Sequence, residues 1–189
     1  MKINNLILIL NSELMQITII IDDAGNGDLL LGVVIGVYHS DNDDFKYDVI
    51  DVKFFQPPLF KQKLYLQQAS KIISSLLEKF RLLPNESIKI CNSYLFDLAV
   101  KDLIEKYGQN RIHRIKVTGD PQYLTETAYL DEIRNLGYEP LNKRETKRAK
   151  SFFHMMNWLK HNPDKMKYAK TGWPRLSRYQ LFKSVKRAR

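Results

Sequence analysis

Ile17-Thr18-Ile19-Ile20-Ile21-Asp22-Asp23-Ala24-Gly25-Asn26-Gly27-Asp28-Leu29-Leu30-Leu31-Gly32-Val33-Val34-Ile35-Gly36-Val37 places two apolar runs on either side of an acidic turn. The first run is β-branched and apolar enough for a strand buried on both faces. It stops at two carboxylates, which would be costly to bury unpaired, so a positive group is expected beside them. Two readings of the turn stand side by side. Gly25 and Gly27 supply the positive φ of a tight hairpin, and Asp and Asn are common turn formers, which describes an ordinary solvated turn. Alternatively, the acidic pair closes one buried strand and a second follows at once. A hard divalent cation needs this kind of placement, with carboxylate oxygens on a rigid element.

Working outward, residues 17–21 and 29–38 read as the first two strands, and 46–55 as a third in which Ile50, Val52 and Phe54 alternate with Val49, Asp51 and Lys53. Short turns between them predict an antiparallel meander that ends at Pro57-Pro58. The period then becomes helical over 60–83, with Ala69, Ile72, Ile73, Leu76, Leu77 and Phe80 on one face. Residues 87–91 form a short strand, 92–106 a helix ended by Gly108, 112–117 a fifth strand, and a last helix runs from the Thr118-Gly119-Asp120-Pro121 loop to about Leu136. The order is β-β-β-α-β-α-β-α.

Composition bounds the function. A chain of 189 residues with 44% apolar content supports one domain of ordinary size and a small appendage. The single cysteine, Cys91, allows no internal disulfide and no zinc-thiolate cluster, and suits a reducing, cytoplasmic setting. The apolar patch at residues 6–10 is far too short to span a membrane, and residues 1–14 read as an arm or an extra strand. Residues 141–189 hold 15 of the 30 Lys and Arg but only Glu145 and Asp164 of the 21 acidic residues, a net +13, which leaves −4 on residues 1–140. An acidic body joined to a basic segment with interleaved aromatic residues suits a protein that holds cations in one part and meets phosphates with the other. A solvated, solubilising tail is the plainer alternative.

The motif Asp22-Asp23-Ala24-Gly25-Asn26-Gly27 resembles the Asp-Glu-Ala-Gly-Arg-Gly opening of type 2 ribonucleases H, and the following strand continues the likeness. Beyond residues 17–37 the resemblance is one of element order. Asn26 stands where that family has arginine, and Asp23 where it has glutamate. The resemblance implies an α/β, ribonuclease H-like fold over residues 15–140: a mixed five-stranded sheet flanked by helices, extended by a basic helical segment over 141–189.

It also implies where acids should gather: at the ends of the first and fourth strands and on the last helix. Asp22 and Asp23 fill the first place. Asn92 occupies the second with a neutral oxygen, or caps the next helix; Asp97 substitutes only if that helix begins late. On the last helix Asp131 and Glu126 rank above Asp120, while Glu78 on the first helix projects away from its core face. The implied catalytic set is Asp22, Asp23, Asp131 and Glu126, and the implied metal set is Asp22, Asp23, Asn92, Asp120 and Asp131 around Mg²⁺ or Mn²⁺. Such ions activate water and stabilise the leaving oxygen in phosphodiester cleavage. Backbone at Gly25, Asn26 and Gly27 is expected to approach the nucleic acid closely. Lys143, Arg144, Lys147, Arg148, Arg175 and Arg178 are expected to meet phosphates, and Trp173 to stack on a base. RNA in an RNA–DNA hybrid is the implied substrate. The rival expectation is a non-catalytic nucleic-acid-binding protein with a degenerate site. No phosphate loop or histidine ligand spacing competes, and Cys91 reads as a small core residue.

C-terminal residues 144–159 read as a helix with Phe152, Phe153, Met156 and Leu159 at helical spacing. A second helix is expected after Pro174, with Leu176, Tyr179, Phe182 and Val185 on one side. Met155, Met156 and Phe153 are expected to pack against the main body.

Overall fold

The runs that flank the acidic turn pair antiparallel as β1 (Thr18–Ala24) and β2 (Val33–His39), and β2 is buried along its whole length. The computed structural model describes residues 18–84, 86–141 and 148–185. The expected N-terminal arm and the candidate phosphate contacts Lys143, Arg144 and Lys147 lie outside the described residues, as does the side chain of Arg148. β3 (Asp44–Ile50) pairs antiparallel with β2, while β4 (Ser87–Cys91) and β5 (Ile112–Ile115) run parallel to β1. The result is one mixed five-stranded sheet in the order β3-β2-β1-β4-β5. Helices α1 (Leu64–Phe80), α2 (Asp97–Tyr107), α3 (Asp120–Asn135), α4 (Arg148–His161) and α5 (Gln180–Val185) complete an α/β architecture.

Three boundaries differ from the sequence reading, each for a local reason. The third strand ends at Ile50 because the Asp51 side chain accepts the Lys53 backbone N–H at 2.8 Å and starts a 3-10 turn, Val52–Phe55. That turn drops Phe55 into the core, where it is 1% exposed. The second strand begins at Val33 rather than residue 29, since Leu31 takes a left-handed φ of 60° and Leu30 bridges to Ala169 instead. The helix expected from residue 92 starts at Asp97, after the 3-10 turn Tyr94–Phe96.

Strand alternation splits the core into two layers. Ile19, Ile21, Ile35, Ile88 and Ile90 face α1 and α2, where Ala69, Ile72, Ile73, Leu76, Leu77, Ala99 and Leu103 cover them. On the other side Ala24, Leu29, Leu30 and Val34 meet Ala128, Tyr129 and Ile133 of α3, together with Met155, Leu159, Ala169, Leu176 and Phe182. The basic segment is therefore the second cover of the sheet. Met155 is fully buried, whereas Phe153 stands 48% exposed. The helix expected after Pro174 is divided into a 3-10 turn, Pro174–Arg178, and α5, yet Leu176 and Phe182 both still point inward. Backbone bonds stitch this cover down: Leu31 N–H to Tyr168 O, Lys170 N–H to Leu29 O and Gly172 N–H to Phe55 O, each 2.9 Å. The Gln56 side chain adds two more, to the carbonyls of Lys167 and Ala169. Among the described residues, no helix is long and apolar enough to cross a membrane.

Candidate metal centre

β1, β4 and β5 are parallel, so their carboxyl ends share one edge of the sheet, the position where ligand crevices form in α/β proteins. Ile21 is registered against Ile90, which puts the following residues, Asp22 and Cys91, side by side on the face opposite those isoleucines. The Cys91 thiol donates a hydrogen bond to the Asp22 carboxylate, and the backbone N–H of Asp23 donates a second. Asp23 belongs to the other face by alternation, but at the strand's end its carboxylate still converges. One ligand atom from each of Asp22, Asp23 and Cys91 lies within 4.8 Å of the others.

Burial decides the electrostatics of this cluster. Asp22 is only 6% exposed, and the loss of solvation raises its carboxyl above the usual aspartate range. The thiol and the Asp23 amide act in the opposite direction, while the charge of Glu126 raises it further. Cys91 is pushed up to about 12, first by burial and then by the Asp22 carboxylate, so it is a neutral thiol at physiological pH. Negative charge here is under-compensated by solvent, and a cation would relieve it.

Helix α3 owes its position to two glycines. A Cβ on Gly36, which pairs with Asp22, would lie 2.2 Å from Thr125 Oγ1; one on Gly25 would lie 2.1 Å from the Tyr129 ring. Thr125 and Tyr129 are one helical turn apart, so both seat on the sheet together and carry Glu126 to where its charge is felt at Asp22. Tyr129 also donates to Leu30 O at 3.1 Å. Gly25 needs its freedom for a φ of 84° and for this ring, so its open side is filled by the protein rather than left for a nucleic acid. Asn26 reaches Ser93 Oγ at 3.4 Å, joining the acidic turn to the loop after β4, and Gly27 is exposed.

The other expected ligands are elsewhere. Asp131 is exposed and paired with Arg134 at 2.8 Å, on the side of α3 that faces Tyr47 of β3, away from the cluster. Asp120 is exposed at the start of α3, where its charge acts on Tyr38. Asn92 presents an exposed side chain, and its backbone N–H extends the β4–β5 pairing to Ile115 O at 3.0 Å; no side-chain cap bond forms at either following helix. Asp97 is held by Arg114 at 3.2 Å. Trp173 is partly buried, with Arg175 over its ring at 4.8 Å and Lys170 at 5.7 Å, so an approaching base would have to displace Arg175. Arg175 and Arg178 are exposed.

Two residues of this region escaped the sequence reading. Cys91 takes the place beside Asp22 that was assigned to Asn92; the alternation of Ile88 and Ile90 would have indicated it, given the register with β1. The other is Lys170, which meets the turn at the Gly25 backbone. It is fully buried, and its ammonium donates to the carbonyl of Gly25. Nothing in the pattern of a basic segment distinguishes this lysine from its neighbours.

The donor set can be tested against the expected ion. Mg²⁺ is usually held by one or two carboxylates with water and phosphate oxygens completing its shell, and Asp22 with Asp23 provides such a pair. A protonated thiol is a poor ligand for a hard cation, so Cys91 fits as a donor to Asp22 rather than as a ligand. No family model matches the chain, and no curated protein matches it.

Proposed function

We propose that this protein is a divalent-metal-dependent nuclease of the ribonuclease H-like class, acting on RNA within an RNA–DNA hybrid. One observation carries the reading: two aspartates converge at the carboxyl end of the strand that joins the parallel and antiparallel halves of the sheet, and one of them is nearly buried with its pKa raised. The strand order β3-β2-β1-β4-β5 and the Asp22–Gly27 motif support it. Asp22 and Asp23 would hold Mg²⁺ or Mn²⁺, and Glu126, on the helix that lies over them, adds negative charge. The ion would supply an activated water and charge stabilisation at the leaving oxygen. The chain's own part is to fix the carboxylates: the Cys91 thiol and the Asp23 amide orient Asp22, and Lys170 ties down the turn through Gly25. The basic second cover would attract the phosphate backbone.

One observation favours the rival reading of a binding protein with a degenerate site: among the described residues, no third carboxylate joins the Asp22–Asp23–Cys91 group. The two separate cleanly. Labelled hybrid, RNA and DNA are incubated with and without Mg²⁺ or Mn²⁺. Hybrid-selective, metal-dependent cleavage that falls at least about a hundredfold in Asp22→Asn supports the nuclease. Binding without cleavage under every metal condition would leave the degenerate protein.

A further inference from the structure

Side chains of α4 and α5, with Tyr179 just before α5, line a half-open cavity of about 710 Å³ that includes Phe153, Asn157, Lys160, Tyr179, Gln180 and Lys183. Three features of this lining define an occupant. Phe153 and Tyr179 present rings 6.0 Å apart at 78°, and Phe153 is 48% exposed, an unusual position for a phenylalanine that only fills a core. Lys160 and Lys183 bring two positive charges, and among the described residues no acid lines the cavity. Asn157 and Gln180 add amides that both donate and accept hydrogen bonds.

We propose that this cavity binds an unpaired nucleotide of a single-stranded nucleic acid, with the base against Phe153 and Tyr179 and its phosphates at Lys160 and Lys183. A planar, anionic occupant with hydrogen-bonding edges matches rings, ammonium groups and amides at once. An aliphatic chain would leave both lysines unanswered, and a duplex keeps its bases stacked inside, away from the rings. The cavity is also linked to the acidic turn by a series of contacts. Phe152 lies 5.5 Å from Phe153 and 5.7 Å from Tyr179; Arg175 sits over both Phe152 and Trp173; Lys170 lies against Trp173 and donates to Gly25. The proposal rests on the nuclease reading for its purpose, since it makes the substrate one with a single-stranded portion beside the cleaved hybrid. Its binding test does not depend on cleavage.

The test is fluorescence anisotropy of a short labelled oligothymidylate with the full chain in EDTA, so that no metal takes part. Phe153→Leu, which keeps an apolar residue at an exposed position but removes the ring, should weaken binding on the order of tenfold, and Phe153→Tyr should restore it. Lys160→Ala should reduce the slope of log affinity against log salt by about one. Unchanged affinity in Phe153→Leu, with the native circular dichroism retained, would overturn the proposal. So would competition by poly-glutamate at equal charge concentration as effective as that of unlabelled oligothymidylate, because the cavity would then answer charge alone. Asp22→Asn is the control that separates the two readings: loss of hybrid cleavage with oligothymidylate affinity intact supports both. Loss of the Phe153 effect with cleavage retained removes this proposal and leaves the nuclease standing.

Discussion

At the scale of single residues, the buried carboxylate of Asp22 gives the sharpest predictions. Its pKa is raised on folding, so the native chain binds a proton here more readily than the unfolded chain does. For an acid the sign follows directly: the penalty is absent below the unfolded value, grows as pH rises towards the folded one, and is fully present above it. Asp22→Asn should therefore raise the thermal midpoint near pH 7 relative to the parent while abolishing metal-dependent activity. The difference should shrink as pH falls towards about 4, as melts across that range would show. A variant that lowers the midpoint at neutral pH would mean that hydrogen bonds from Cys91 and Asp23 outweigh burial. Cys91 provides a second readout of the same field. With its thiol pushed up to about 12 by burial and by Asp22, iodoacetamide should alkylate it about a thousandfold more slowly than a free thiol at neutral pH. Asp22→Asn should speed that reaction, measured by mass spectrometry of the single cysteine.

At the scale of elements, α3 is held where its acid matters by the absence of side chains beneath it. A methyl group at Gly36 would meet Thr125 Oγ1, which is itself fixed by donating to Pro121 O at 2.7 Å, and the Phe45 ring at 2.7 Å. Gly36→Ala should cost about 1–3 kcal/mol in urea denaturation, as overpacking does. Because the clash is with a named partner, Thr125→Ala in the same chain should recover part of the loss, a non-additivity that a double-mutant cycle resolves. Elements of this kind were unevenly legible in the sequence. β1, β4 and α1 follow from apolar runs and helical period bounded by turn residues, which are local signals. β3 ends earlier than its pattern suggests because Ile50, Val52 and Phe54 do alternate, and only the Asp51 side chain, accepting the Lys53 backbone N–H, stops the strand. The acidic pair was legible from its place at a strand's end. Cys91 and Lys170 were not, since one depends on the register between strands far apart in sequence and the other on a contact between Lys170 and Gly25 that spans most of the chain.

At the scale of the whole molecule, charge and packing make different demands on the same segment. The net +13 of residues 141–189 reads in sequence as an appendage, yet the described part of the segment packs onto the sheet. What holds it is apolar: Met155, Leu159, Ala169, Leu176 and Phe182 are each at most 5% exposed and pack beside Tyr129 of α3 over Ala24, Leu29, Leu30 and Val34 on the second face of the sheet. Fully burying a leucine, methionine or phenylalanine contributes about 1.5–3 kcal/mol. Four such residues together therefore match much of the roughly 5–15 kcal/mol that keeps an ordinary domain folded. Truncation after Pro140 removes this cover along with Lys170, and with it the bond from Lys170 to Gly25 in the acidic turn. The shortened chain should consequently lose its cooperative thermal transition and bind a hydrophobic dye, rather than persist as a folded but weakly binding core. Replacing the exposed Lys160, Arg175, Arg178 and Lys183 with glutamine in the intact chain should do the reverse, preserving the transition while flattening the salt dependence of nucleic-acid binding. If the truncated chain instead melted cooperatively near the parent's midpoint, the second layer would be dispensable and residues 18–140 would fold without it.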